Sequence, residues 1–179
     1  MTRLLLLLAL LLCPCALPAQ PTSATGARAD TQAVDGGADP AAAANGYYGA
    51  FKAGDWNRAA GFIHPRTLAA MRAVVDSGAR KDRTGMVLPM LMGVQSTAEL
   101  KALSDREVYV RFLARQLAGD EARAYLDAMT VEVTNVTLEN PDLARVTTVT
   151  REGAKTDPPE TVPVLRINGR WFLLLDLDP

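Results

Sequence analysis

The chain has 179 residues and a formal net charge of -1, with 20 acidic side chains against 19 basic ones. That balance supplies no global pull toward nucleic acid, and the only cysteines, Cys13 and Cys15, sit so close to the start that the rest of the chain has no disulfide to rely on. All but four of the 19 basic residues are arginine and alanine is abundant, a usage that fits a GC-rich bacterial genome rather than a physical requirement.

Arg3 is followed by an unbroken apolar run from Leu4 to Leu12 and by the exit Leu17-Pro18-Ala19-Gln20. A basic start, a short apolar centre and small residues at the exit describe a secretory signal peptide over residues 1–20. The run is too short to span a bilayer. The expectation is an exported chain, periplasmic or secreted, with no transmembrane segment in its mature part. Leu10-Leu11-Leu12 before Cys13 lack the small residues of a lipoprotein signal. Asn135-Val136-Thr137 fits a glycosylation sequon but falls within an expected strand.

From Pro21 to about Pro40 the chain is chiefly Ala, Gly, Thr, Ser, Asp and Gln, with Val34 the only larger aliphatic residue. Nothing there offsets the entropy of ordering the backbone, so a flexible linker is expected over 21–40. A single domain follows over 41–179, enough chain for a sizeable core. Ala44, Tyr47, Tyr48 and Phe51 recur at helical spacing. Gly54-Asp55 ends that helix and caps a second carrying Trp56, Ala59, Ala60 and Ile63. A third begins after His64, with Pro65 in its first turn and Leu68, Met71 and Val75 on its buried side. The next stretch, Ser77 to Val94, opens with the polar run Gly78 to Gly85 and closes with the apolar run Met86 to Met92. Pro89 argues against one continuous helix, and the segment reads as a mobile loop followed by an apolar flap. Ser96-Thr97-Ala98-Glu99 and Ser104-Asp105-Arg106-Glu107 are capping boxes that announce two more helices. The second of these turns Tyr109, Phe112, Leu113 and Leu117 inward. Asp120 is expected to cap a last helix ending near Met129.

There the period changes to alternation. Val131 and Val133 share one face while Val136 and Leu138 fall in the opposite phase, which predicts a bulge near Asn135. Asn140-Pro141-Asp142 makes a turn into a strand from Arg145 to Arg151. A loop containing Asp157-Pro158-Pro159 leads to Thr161 to Ile167, joined by Asn168-Gly169 to a last strand, Arg170 to Leu177. That hairpin pairs Arg166 with Trp171, Leu165 with Phe172 and Val164 with Leu173. One face then carries Val162, Val164, Arg166, Trp171, Leu173 and Leu175. The other carries Leu165, Ile167, Phe172, Leu174 and Asp176. Both are apolar, which a sheet open to water on one side does not permit. One face is expected to meet the helices and the other a partner subunit or the flap.

Helices first, then a meander of antiparallel strands closing on Gly169-Arg170-Trp171-Phe172-Leu173-Leu174-Leu175, is an order that resembles the NTF2-like (nuclear transport factor 2-like) superfamily. The resembling stretches are Tyr47 to Ala60 and Val164 to Asp176. The resemblance implies an α+β fold, with N-terminal helices packed on a curved, mainly antiparallel four-stranded sheet around a cone-shaped cavity. It implies equally isomerases, dehydratases, exported binding modules and dimers formed through the sheet. No enzyme-family motif matches closely enough to carry residues over. The helical stretch from Ser96 to Met129 stands where many members place a strand.

Residues that carry chemistry are few. His64, the only histidine, sits at a helix entrance, where capping competes with a role in proton transfer. Asp176 shares its expected face with Phe172, Leu174 and Leu165. A carboxylate there would be a raised-pKa base, unless it is a wetted chain end. Arg166 against Trp171 would hold an anion at a cavity mouth or simply cap the sheet. Met86, Met90 and Met92 are a sparse thioether set for Cu(I) and a better adaptable lid, so no metal and no cofactor are expected. Arg80, Lys81 and Arg83 read as a solvated loop. The candidate ligand-contacting residues are Tyr48, Met90, Arg166, Trp171 and Asp176. Together these features point to an exported, non-catalytic domain that binds a small apolar or amphipathic ligand or a protein partner. The alternatives are a pocket enzyme of isomerase, dehydratase or hydrolase type using Asp176, His64 or Tyr48, and a homodimer assembled through the sheet.

Overall fold

The computed structural model describes residues 35–175; the expected signal peptide, the expected linker as far as Val34, and Asp176 lie outside the described residues. The fold already includes Asp35, the first described residue, where composition alone suggests a start near Pro40. Gly37 donates its N–H to the Trp171 carbonyl at 2.8 Å and accepts from the Trp171 N–H at 3.0 Å. Asp35 is paired with Arg106 at 2.9 Å. Backbone hydrogen bonds, to which composition is blind, order this short stretch.

Helix α1 (Pro40–Ala53) is capped by Asp39, whose carboxylate accepts from the Ala42 N–H at 2.7 Å, and it stops at Gly54 in the left-handed region. Its inward side buries Ala43, Ala44, Tyr47, Ala50 and Phe51. Helix α2 (Trp56–Ala60) is capped by Asp55 and helix α3 (Pro65–Lys81) by His64, as the sequence predicts. Helix α3 continues through Ser77 to Lys81, so the polar loop shrinks to Asp82–Met86. The Asp82 carboxylate organises that turn by accepting from the Thr84 and Val87 N–H groups. These bonds, the one from Val87 foremost, hold its pKa below the ordinary carboxylate value. The apolar flap is helix α4 (Val87–Met92), with Pro89 in its first turn, where a missing N–H costs little. It packs on the later helix α6 (Asp105–Gln116), not on the sheet.

Helix α5 (Thr97–Ala102) starts at Ser96, and α6 carries the full capping box of Ser104 and Glu107. Helix α7 (Asp120–Ala128) corrects one expectation: Gly119 is its N-cap, and Asp120 is already helical. Its charge there still complements the positive end of the helix dipole.

Five strands follow: β1 (Met129–Asn140), β2 (Leu143–Glu152), the two-residue β3 (Lys155–Thr156), β4 (Glu160–Ile167) and β5 (Arg170–Leu173). The four longer ones form a strongly curled antiparallel half-barrel in the order β1-β2-β4-β5, with helices packed against it, so the fold is α+β. The hairpin register is the predicted one, with Arg166 opposite Trp171 and Val164 opposite Leu173. The bulge also appears: Val133 pairs with Thr148 and Asn135 with Thr147, leaving Thr134 as the extra residue. It brings Val131, Val133, Val136 and Leu138 onto one side of the sheet, that of the buried Ala144, Val146, Val164, Trp171 and Leu173. Val136 and Leu138, at the far end of β1, stay 39% and 63% exposed.

The free edge of β5 is covered by chain from before α1 and before α3. Besides the two bonds with Gly37, Leu173 donates to the Phe62 carbonyl and accepts from the His64 N–H, each at 2.9 Å. Gly37 can make this approach only without a side chain, because a Cβ there would lie 2.2 Å from the Ala43 nitrogen. Gly37→Ala is expected to destabilise the chain by about 2 to 3 kcal/mol through this overpacking, read as a shift in the urea midpoint at constant slope.

Candidate functional site

Helix α1 presents two adjacent tyrosines to different neighbours. Tyr47 points toward α6, where its hydroxyl meets that of Tyr109 at 3.0 Å; the two residues are only 4% and 3% exposed. Tyr48 packs edge-on against Tyr47, ring centroids 5.1 Å apart, and its hydroxyl lies near the buried Thr148 on β2. Burial above all raises the pKa of Tyr47, Tyr48 and Tyr109 beyond the usual tyrosine value, and the Glu160 carboxylate adds to the effect on the first two. These hydroxyls therefore stay protonated at neutral pH and act as hydrogen-bonding groups rather than bases.

Beside this cluster lies a half-open pocket of about 150 Å³, lined by Asn45, Tyr48, Gly49 and Lys52 of α1 and by Met129 and Val131 of β1. The helical residues follow the spacing that puts side chains on one face. Lys52 donates to the Met129 carbonyl at 2.6 Å, and among the described residues no carboxylate lies within ion-pair distance of it. Two glycines of this helix behave differently. A Cβ at Gly46 would fall 2.3 Å from the Phe62 ring, whereas a Cβ at Gly49 would meet nothing within 4 Å. A glycine inside a helix costs about 0.5 to 1 kcal/mol relative to alanine; at Gly46 packing demands it, and at Gly49 it leaves the pocket open.

The other sequence candidates do not gather here. Met90 is 47% exposed on α4, with Met86 at 57% nearby in sequence, while Met92 is buried at 3%, so the three methionines do not face one space. Arg166 stands 6.0 Å from the Trp171 ring centre at the end of the β4–β5 hairpin, and Trp171 is buried in the core beneath it. Asp176 lies outside the described residues. His64 is spent on structure: its Nδ1 accepts from the Arg66 N–H at 3.0 Å, and its own backbone N–H is bonded to Leu173. Among the described residues no group of three or more His, Cys, Asp or Glu side chains is arranged to hold a metal ion, and no helix is long and apolar enough to cross a membrane. Of the sequence candidates only Tyr48 lines this pocket; Asn45, Gly49, Lys52 and Met129 were not among them. Their helical spacing and the mid-helix glycine were the available signals. The pairing of Tyr47 with Tyr109, 62 residues apart, left none.

A second surface is the outer face of the sheet. Leu143, Pro163, Leu165, Ile167, Phe172 and Leu174 line up across β2, β4 and the β5 end, each half-buried, on the side opposite α1. On this face Arg145 is paired with Glu139 and Arg151 with Glu132, while Arg170, opposite Ile167, donates to the Asp35 and Gly36 carbonyls. No protein-family model, curated protein or solved structure matches the chain.

Tyr47→Phe is expected to cost about 1 to 3 kcal/mol by stranding the Tyr109 hydroxyl, and the double variant with Tyr109→Phe less than the sum; chemical denaturation of the three variants checks this. A second expectation concerns pH. Partial burial, then the nearby Arg66 guanidinium, lowers the His64 pKa, so the unfolded chain takes up that proton more readily than the folded one. The stability contributed by the neutral cap is complete above the unperturbed value of 6.5 and is lost as the pH falls from there through the lower folded value. His64→Asn keeps a capping acceptor and should flatten stability across that window. An unchanged pH profile would contradict the assignment.

Proposed function

We propose that this chain is an exported, non-catalytic binding domain of NTF2-like architecture, and that a second copy of the chain occupies the outer face of its sheet. The observation that carries the reading is the half-buried apolar row from Leu143 to Leu174, which lies opposite the helical layer and beside charges already neutralised in pairs. A copy approaching about a two-fold axis meets apolar side chains at the centre and paired charges next to them. Four strands about 4.8 Å apart, roughly eight residues long at about 3.3 Å each, give a face of roughly 500 Å² in projection. Side-chain relief brings that toward the ~800 Å² per partner of a standard interface.

The pocket-enzyme alternative has less support. The His64 imidazole is engaged as a helix cap, and the hydroxyls of Tyr47 and Tyr109 are engaged with each other. Tyr47, Tyr109, Val146 and Thr148, all deeply buried, fill the space under α1 where the resemblance places a cone-shaped cavity. Light scattering coupled to size exclusion should give a dimer for the wild-type chain. Leu165→Glu should give a monomer with little change in Tm. A wild-type chain that stays monomeric at its highest soluble concentration would remove the proposal.

A further inference from the structure

We infer that the pocket between α1 and β1 is a binding site for a small organic carboxylate, with Lys52 as the counter-charge. This site is separate from the outer sheet face and does not depend on dimer formation.

Three observations converge on it. The first is Gly49, whose missing side chain keeps the pocket open although nothing packs within 4 Å of the place a Cβ would occupy. Alanine there would strengthen the helix without a clash. The second is Lys52. Its ammonium has three donors, one of which is engaged by the Met129 carbonyl, and no described carboxylate neutralises it. A half-buried cation on a pocket wall, with no carboxylate among the described residues paired to it, favours an anionic guest. The third is the rest of the lining: the Asn45 amide supplies a further donor, while Tyr48, Met129 and Val131 offer apolar surface to a short carbon chain. At about 150 Å³ the pocket takes a guest on the scale of benzene, about six heavy atoms, with the open side admitting one or two more. That size and this lining describe a straight-chain carboxylate of about hexanoate length.

The test is a titration of the full chain with sodium hexanoate, followed by amide shifts in heteronuclear NMR, with hexanol, hexylamine and sodium sulfate as matched controls. Saturable shifts centred on Gly49, Lys52 and Val131, given by hexanoate and not by the controls, are the expected result. Lys52→Met should weaken hexanoate tenfold or more. Gly49→Leu should abolish it, because the new side chain occupies the pocket. Thermal melts of both variants establish that they fold, and Gly49→Leu should melt no lower than wild type. The inference is overturned if hexanoate gives no saturable shift, if hexanol binds as well as hexanoate, if sulfate produces the same shifts, or if Lys52→Met binds hexanoate as tightly as wild type.

Discussion

Strand β5 makes backbone hydrogen bonds along both of its edges, and the arrangement of the helical layer follows from them. On one side it completes the hairpin with β4. On the other it bonds Gly37 at Trp171, and Phe62 and His64 at Leu173. Gly37 lies just before the cap of α1, and His64 is itself the cap of α3. One short strand thus sets where two helices begin, and the apolar packing of Ala43, Tyr47 and Leu68 fills in a geometry the backbone already defines. An edge closed in this way is also protected from pairing with another chain. The outer face, by contrast, offers side chains rather than unpaired amides.

Helix α1 serves two environments at once. Its inward residues reach the sheet and α6, and Asn45, Tyr48, Gly49 and Lys52 look along β1 into open space. Tyr48 belongs to both, since its ring walls the pocket while its hydroxyl lies near Thr148. Its edge-on contact with Tyr47 connects the pocket to the buried Tyr47 and Tyr109 pair. Buried polar groups of this kind are satisfied by one another, so they fix side-chain orientation around the pocket without presenting charge to it.

Local rules made most of the fold legible. The Asn168-Gly169 turn set the hairpin register, the change of phase between Val133 and Val136 located the bulge, and the serine-glutamate pairs marked α5 and α6. Each depends on neighbours a few residues apart. The misreadings came where distant partners decide. Asp35 to Asp39 looks like linker until Trp171 and Arg106 are brought beside it. Ser77 to Lys81 is polar enough for a loop, yet it simply continues α3 until the Asp82 turn. The flap was one of two candidates to cover the sheet's second face, the other being a partner subunit, and its Leu88 and Met92 are buried in a helix that packs on α6. The site was less legible than the fold, because Lys52 and Met129 meet across 77 residues and only the structure places them together.

The extra residue at Thr134 has a consequence for how this sequence can vary. Side chains in β1 alternate from side to side, and the count is interrupted at Thr134, between Val133 and Asn135, and again between Leu138 and Asn140. Loss of Thr134 alone would leave every pair in place, Val133 still opposite Thr148 and Asn135 opposite Thr147, and the valines would stay on the core side without the bulge. Loss of Val131 or Glu132 with the bulge kept would instead put the residues before the gap out of step with those after it. A bulge adds local right-handed twist, so what Thr134 supplies is bend rather than alternation. Descendants of this gene that shed this one residue should keep the same core-facing letters on a straighter β1.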